Sequence, residues 1–134
     1  MKHGDLIIIG GGLVGMTAAL ACAHKGANVT IIDSQSPENY LTADFDGRAS
    51  AIAASSFQMY RHLGIDERLT DQIQPITDIM ITDGEVGRYI SPLSLHFDSN
   101  DAGGAPMGYM MENRLLRRAL FEAIKDSSLS LIHI

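Results

Sequence analysis

The first third of the chain changes from a continuous hydrophobic run to a helical composition and back again. Residues 6–9 are four successive aliphatic side chains bounded by glycine, as expected for a strand buried on both faces of a parallel sheet. Residues 13–25 are rich in Ala, Leu and Met, which favour helix, and Gly26 follows where a left-handed cap would lie. Residues 29–32 are a second β-branched run. Together these segments predict a right-handed βαβ unit.

A polar segment then precedes a second helical pattern. Residues 34–47 are polar and rich in turn-forming side chains, so they are predicted as a loop. Helical spacing within residues 50–63 is shared by Ile52, Ser56, Met59, Tyr60 and Leu63. Because Gly64 follows this run, the pattern predicts a second helix over residues 50–63.

The pattern of apolar and polar residues changes again from Pro75 onward. The stretch "ITDIMITDG" alternates around an Asp-Gly turn signal, and "RYISPLSLHFD" alternates once more. The apolar members of the second stretch are Tyr89, Leu93, Leu95 and Phe97. These runs predict antiparallel strands, unlike the parallel unit at the start of the chain.

The last third returns to a helical pattern. Residues 99–106 are predicted as a loop and residues 107–111 as a short strand. Asn113 can then cap a helix in which one face is shared by Leu116, Leu120, Ala123 and Ile124. The stretch "SLSLIHI" begins another strand, and the sequence stops inside it. We therefore expect an N-terminal fragment of a longer protein.

Composition and charge exclude some classes of function. The 134 residues are 46% hydrophobic and 19% charged, which is ordinary for a small globular domain. A formal net charge of −6 gives no electrostatic reason to bind nucleic acid. Cys22 is the single cysteine, so no intrachain disulfide forms, and it is interpreted as a small buried side chain rather than a reactive thiol. The five histidines lack ligand-like spacing, so no metal site is predicted.

The uncharged run over residues 6–23 imitates an export signal or a membrane span. Asp5 abuts this run, and four glycines interrupt it, which weakens any long helix. We therefore interpret the run as strand, turn and helix in a cytoplasmic protein.

The glycines after the first strand follow the spacing Gly10-x-Gly12-x-x-Gly15. In a dinucleotide-binding fold, Gly10 permits a tight turn and Gly12 lets the backbone approach a pyrophosphate. Gly15 lets the helix lie close to the strands. The motif therefore predicts a dinucleotide site, against the alternative of a glycine-rich turn that binds no ligand.

Two further features support the dinucleotide interpretation. The helix that begins at Leu13 and Val14 offers free N–H groups and a partial positive charge to phosphates. Asp33, at the end of the second strand, is placed to accept hydrogen bonds from ribose hydroxyls, and its charge disfavours a 2′-phosphate. An NAD dehydrogenase would continue to alternate βαβ units, whereas here antiparallel strands begin early.

Three stretches together resemble the flavin-dependent aromatic hydroxylases, and among them the ubiquinone-biosynthesis hydroxylases that act on polyprenyl phenols. They are "IIIGGGLVGMTAALACAHKGANVTIID", "DFDGRASAIAASSFQMYRHLGI" and "GYMMENRLLRRALFEAI". The resemblance implies an FAD-dependent monooxygenase that uses NAD(P)H and O2 to hydroxylate a prenylated phenol. It also suggests peripheral association with a membrane or with a biosynthetic complex. The oligomeric state and the catalytic residues are not predicted.

Site residues follow from the same resemblance. The three motif glycines and the start of the helix match the pyrophosphate loop of FAD, and Asp33 matches the acid that holds the adenosine ribose. Arg48 matches the arginine that opens the second helix near FAD, the alternative being a solvated arginine at a helix N-terminus. Asn113 falls where relatives carry an Arg or Gln that contacts the cofactor, the alternative being a plain helix N-cap.

The expected architecture is a Rossmann-like FAD-binding βαβ unit with the start of an antiparallel substrate domain inserted. Residues 1–74 would be the first FAD-binding segment, residues 75–106 part of the substrate sheet, and residues 107–134 a return to the FAD-binding domain. Alternatives are an FAD oxidoreductase for small soluble aromatics, or a non-catalytic nucleotide-binding module if the chain truly ends at residue 134. We expect the 134 residues alone to hydroxylate nothing, which an NAD(P)H-dependent product assay tests.

Overall fold

The computed structural model describes residues 4–36, 41, 47–69, 71–84, 87 and 90–133. The strands are β1 (Leu6–Ile9), β2 (Val29–Asp33), β3 (Ala49–Ala53), β4 (Ile73–Ile76), β5 (Asp78–Gly84), β6 (Ile90–Asp98), β7 (Gly108–Glu112) and β8 (Ser130–His133). The α-helices are α1 (Leu13–His24), α2 (Ala54–His62) and α3 (Asn113–Lys125). Most of the loop expected over residues 34–47, and Tyr89 of the alternating run, lie outside the described residues. No helix of the described ranges is long and apolar enough to cross a membrane.

The opening βαβ unit is confirmed as a parallel arrangement. Strands β1, β2 and β8 form one sheet in that order, with Ile8 opposite Ile31 and Ile31 opposite Leu131. The expected burial of β1 on both faces is wrong, since Ile7 is 62% exposed and Ile9 is 87% exposed. The reason is that β1 lies at the edge of the described sheet, so part of its surface lacks a neighbouring strand or helix to cover it.

The hydrophobic core lies where α1 and α3 pack against β2. Ala19 of α1, Ile31 of β2 and Leu120 of α3 are each 0% exposed. The face predicted for the last helix is confirmed, because the buried side chains of α3 include Leu116, Leu120, Ala123 and Ile124. Their spacing of three and four residues gives the helix one apolar stripe, and that stripe faces the core.

A second, antiparallel sheet contains β3, β7 and β4 in that order. It corrects the helix expected over residues 50–63, because residues 49–53 form β3 and the helix begins only at Ala54. Ala51 pairs with Met110 across the β3–β7 ladder. The local helical preference of the alanines is thus outweighed by backbone pairing with a strand that is distant in sequence.

The antiparallel strands predicted after Pro75 are confirmed as a hairpin of β5 and β6. Ile79 faces Phe97 and Ile81 faces Leu95 across the ladder. Apolar side chains of both strands are exposed to solvent: Ile79, Met80, Ile81, Leu93, Leu95 and Phe97. The hairpin therefore forms no buried core within the described part of the chain.

Candidate functional site

The glycine-rich loop joins the carboxyl end of β1 to the first turn of α1. Gly10 has a φ of 106°, a left-handed conformation that glycine adopts without a steric penalty. Its N–H donates to the carbonyl of Ile32 at 2.8 Å, which ties the loop to the end of β2. The tight turn predicted at Gly10 therefore lies directly beside the strand that carries Asp33.

Gly15 is needed for the packing of the chain itself. A Cβ atom at this position would lie 1.9 Å from the carbonyl oxygen of Gly10 and 3.5 Å from Cγ2 of Ile8. A side chain of any size would push α1 away from the loop and from β1. The close approach of helix and strand predicted for Gly15 is thus visible in the structure.

Gly12 differs from Gly15, because nothing lies within 4 Å of the Cβ that it lacks. The residue is exposed and its φ is −74°, a conformation that any residue adopts. The packing of the described chain therefore does not require glycine here. Close approach of a ligand backbone or phosphate, the reason given by the sequence motif, is a requirement that the space at Gly12 can meet.

The first turn of α1 presents backbone donors to the same space. Gly12 is the N-cap residue, it provides no side-chain capping bond, and the first turn contains no acidic side chain. Val14 is 84% exposed and Leu13 is partly buried. Orphan N–H groups and the positive end of the helix dipole therefore face the open surface, as an anion-binding helix N-terminus requires.

The Asp33 carboxylate lies against the glycine loop. Its Oδ2 accepts a hydrogen bond from the backbone N–H of Gly11 at 2.5 Å, and its Oδ1 accepts one from Gln35 N–H at 2.8 Å. Gly11 stands between two motif positions and was not singled out by the sequence pattern, although the run of three glycines contained it. These bonds orient the carboxylate beside the loop, where a ribose next to a bound pyrophosphate would lie.

Two cavities flank the loop. A small one of about 20 Å³ is lined by Gly11, Asp33 and Arg117, together with apolar side chains of α1, α3 and β8. A larger open cleft of about 660 Å³ runs between α1 and the β3–α2 segment, and its lining includes Val14 and Ser50. An elongated ligand that followed the loop would therefore contact both the Asp33 end and the β3 end.

Arg48 and Asn113 are brought together at the start of the β3–β7 ladder. The backbone N–H of Asn113 donates to the carbonyl of Arg48 at 3.0 Å. Arg48 is exposed and precedes strand β3, so the expectation that it opens the second helix is wrong. The cause is the same long-range pairing that makes residues 49–53 a strand.

Asn113 is not the helix N-cap. That position belongs to Glu112, and it makes no side-chain capping bond. The carboxamide Oδ1 of Asn113 instead accepts a hydrogen bond from Ser50 Oγ at 2.5 Å. Sequence reasoning missed Ser50, because only the β3–β7 pairing brings residues 50 and 113 together.

Comparison with known proteins places these features in a family. The family described as "FAD binding domain" matches residues 4–123. The chain is 48% identical over 119 residues to ubiquinone hydroxylase UbiL of Rhodospirillum rubrum. The aligned segment covers 89% of this chain and 26% of that protein. The chain is also 30% identical over 123 residues to 3-demethoxyubiquinol 3-hydroxylase of Escherichia coli, which covers 90% of this chain and 30% of that protein. The chain thus spans between a quarter and a third of the length of these curated relatives.

Solved structures share the fold at low sequence identity. PqsL of P. aeruginosa superposes with a TM-score of 0.71 at 20% identity, covering 98% of this chain and 34% of that chain. The p-nitrophenol 4-monooxygenase PnpA of Pseudomonas putida gives a TM-score of 0.68 at 16% identity, covering 98% of this chain and 31% of that chain. These structures support the mixed α/β architecture.

Proposed function

The chain belongs to the FAD binding domain family, and from this premise we propose that it is part of an FAD-dependent monooxygenase that hydroxylates a polyprenylated phenol in ubiquinone biosynthesis. NAD(P)H would be the reductant and O2 the source of the oxygen atom. The substrate class rests on the names of the relatives, since the chain is 48% identical to a ubiquinone hydroxylase. Because the substrate would carry a lipid tail, we also propose a cytoplasmic protein that associates peripherally with a membrane.

The observation that carries the cofactor proposal is the contrast between Gly12 and Gly15. The packing of the chain leaves room for a side chain at position 12, yet the residue there is glycine. At position 15, by contrast, packing itself requires glycine. The residues present therefore fit a pyrophosphate laid against the loop, with Gly10, Leu13 and Val14 completing that contact.

The other predicted contacts lie at the two ends of the site, and each end would hold a different part of the cofactor. Asp33 would hold the adenosine ribose, and Arg48 and Asn113 would contact the cofactor at the β3 end of the cleft. FAD supplies the redox and oxygen-transfer chemistry when bound, while the protein binds it, orients it and excludes water. We further propose that residues 1–74 and 107–134 belong to the FAD-binding domain and residues 75–106 to the substrate sheet, except that residues 75 and 76 go with the FAD-binding domain because they complete β4, which pairs with β7.

Substitution of Gly12 tests the site directly in the protein that contains this chain. Gly12→Leu should abolish FAD binding, measured as flavin bound per protein, because the side chain would occupy the place of the pyrophosphate. The ligand-free protein should still fold and lose only about 1 kcal/mol of stability, since no protein atom lies within 4 Å of the new Cβ and the remaining cost is that of leucine at the N-cap of α1.

Gly4→Leu is a matched control for this experiment. Gly4 is also exposed, and its missing Cβ would meet Asn28 O and Thr30 Oγ1 only at 3.7 Å, an ordinary contact. This variant should retain full flavin content. Unchanged flavin content in Gly12→Leu would contradict the placement of the cofactor at this loop.

The substrate proposal needs a separate assay. Turnover by the intact enzyme should be faster with prenylated than with unprenylated phenols of the same ring. Equal or preferred turnover of small soluble phenols would contradict the ubiquinone assignment and leave the FAD site untouched.

A further inference from the structure

Ser50 holds the side chain of Asn113 across two strands. Ser50 lies in β3, opposite Met111 of β7. Met111 precedes Asn113 by two residues in the chain. Its hydroxyl donates to Asn113 Oδ1 at 2.5 Å, and the backbone N–H of Asn113 donates to the carbonyl of Arg48 at 3.0 Å. The backbone and the side chain of Asn113 are therefore both bonded to the segment that contains Ser50.

We propose that Ser50 is a positioning residue that orients the Asn113 carboxamide toward the cofactor. This inference rests on the proposed function, because it takes Asn113 as a contact of FAD. The two ends of a carboxamide diverge from one carbon, so a bond that holds Oδ1 toward β3 directs the Nδ2 donor away from β3.

The surroundings of Asn113 support a role toward a ligand. The side chain does not cap α3, since the N-cap residue is Glu112. Among the described residues, no hydrogen bond of Asn113 Nδ2 is present, whereas Oδ1 is engaged by Ser50. Ser50 itself lines the open cleft together with Leu13 and Val14 of the first turn of α1. The Asn113 amide is thus bonded to a residue that lines the space leading to the glycine loop.

A side chain already held in its binding orientation loses less rotamer freedom when the ligand arrives. Removal of the Ser50 hydroxyl should therefore weaken FAD binding even if Ser50 never touches FAD. For one neutral hydrogen bond we expect the dissociation constant to rise about three- to tenfold. Alanine suits this strand, because β3 already contains alanine at positions 49, 51 and 53.

A double-mutant cycle in the protein that contains this chain tests the inference. The FAD dissociation constant is measured by flavin fluorescence for Ser50→Ala, Asn113→Ala and the double variant. If Ser50 acts through Asn113, the double variant binds FAD no more weakly than Asn113→Ala alone. Ser50→Thr, which keeps the hydroxyl, should restore the affinity. In the ligand-free protein, NMR signals of the Asn113 carboxamide should shift in Ser50→Ala and not in Ser50→Thr.

The outcomes separate this inference from the proposed function. Unchanged affinity in Ser50→Ala, or losses that multiply in the double variant, would overturn the positioning role while FAD binding by the unmodified protein stands. Unshifted carboxamide signals in Ser50→Ala would overturn it as well. Failure of the unmodified protein to bind FAD would overturn the proposed function, and the role of Ser50 would fall with it.

Discussion

The strands of the α1–β2–α3 core and of the β5–β6 hairpin all contain several large apolar side chains but bury them differently. In β2, Val29 is 4% exposed and Ile31 is 0% exposed, because α1 packs on β2 and α3 packs beside α1 in the same core. In β6, Leu93 is 80% exposed and Leu95 is 60% exposed. A hydrophobic pattern can therefore specify a strand without specifying its burial, since burial needs a second layer.

The candidate site follows the same division. The glycine loop, the start of α1 and Asp33 all lie at one end of the core, where parallel strands and packed helices hold them. The described residues of β5 and β6 contribute no side chain to the candidate site. Precise placement of binding groups depends on neighbours with locked positions, and within the described ranges the core supplies these neighbours.

The largest expected effect comes from truncating one leucine in each region. Leu120→Ala should lower the free energy of unfolding by about 2–5 kcal/mol, because it leaves a cavity at a position with no solvent exposure. Leu95→Ala in the hairpin should change it by no more than about 0.5 kcal/mol. Denaturant unfolding of both variants measures the two values. Similar losses in the two variants would show that the apolar face of the hairpin is covered in solution.

A second prediction asks whether the glycine loop belongs to the rigid core. Gly15→Ala should destabilise the protein by about 1–3 kcal/mol, because its Cβ would overlap the carbonyl oxygen of Gly10. Gly4→Ala, at an exposed position with only ordinary contacts, should be nearly neutral. Unfolding of the ligand-free proteins measures both effects. A neutral Gly15→Ala would mean that the loop moves freely relative to β1, and the core would then not hold the site rigidly.

Much of the fold is predictable from local pattern, and the exceptions share one cause. The helix α1, the parallel pairing of β1 with β2, and the buried face of α3 all follow from spacing within single segments. Strand β3 does not, because its alanines favour helix locally and only pairing with β7 makes it a strand. The exposure of β1 likewise depends on its place at the sheet edge, which no local pattern contains.

The candidate site likewise contains residues that the local sequence pattern predicts and one residue that it does not. The loop glycines and Asp33 stand in a motif whose spacing reflects a local strand, turn and helix, so sequence alone indicates them. Ser50 is separated by 63 positions from the amide that it contacts, and no spacing rule connects the two. Residues that act through tertiary pairing, such as Ser50 on Asn113, therefore become visible only with the structure.

The smallest expected effect concerns the acid stability of the hairpin. Asp78 accepts hydrogen bonds from Thr77 Oγ1 at 2.8 Å and from His96 Nε2 at 3.1 Å, and these bonds, that of Thr77 first, hold the pKa of Asp78 below its usual range. Asp98, opposite Asp78 in the ladder, accepts instead from Asn100. Because Asp78 binds a proton less readily in the folded than in the unfolded chain, its contribution is present above about pH 4. That contribution is lost as the pH falls through the lowered pKa.

Acidification from about pH 5 to about pH 2 should therefore shift the backbone amide NMR signals of β5 and β6 and leave those of Ala19 and Leu20 unchanged, since α1 contains no carboxylate. Asp78→Asn should remove the shifts of Thr77 and His96, the two hydrogen-bond partners of Asp78, since the neutral amide has no proton to gain. Both side chains of the Asp78–His96 pair are about half exposed, at 60% and 48%. Added salt should therefore weaken the lowering of the Asp78 pKa by His96. An equal shift at Ala19 and Leu20 would show that acid acts on the whole molecule, and the hairpin would then not be the independent region that its exposure indicates.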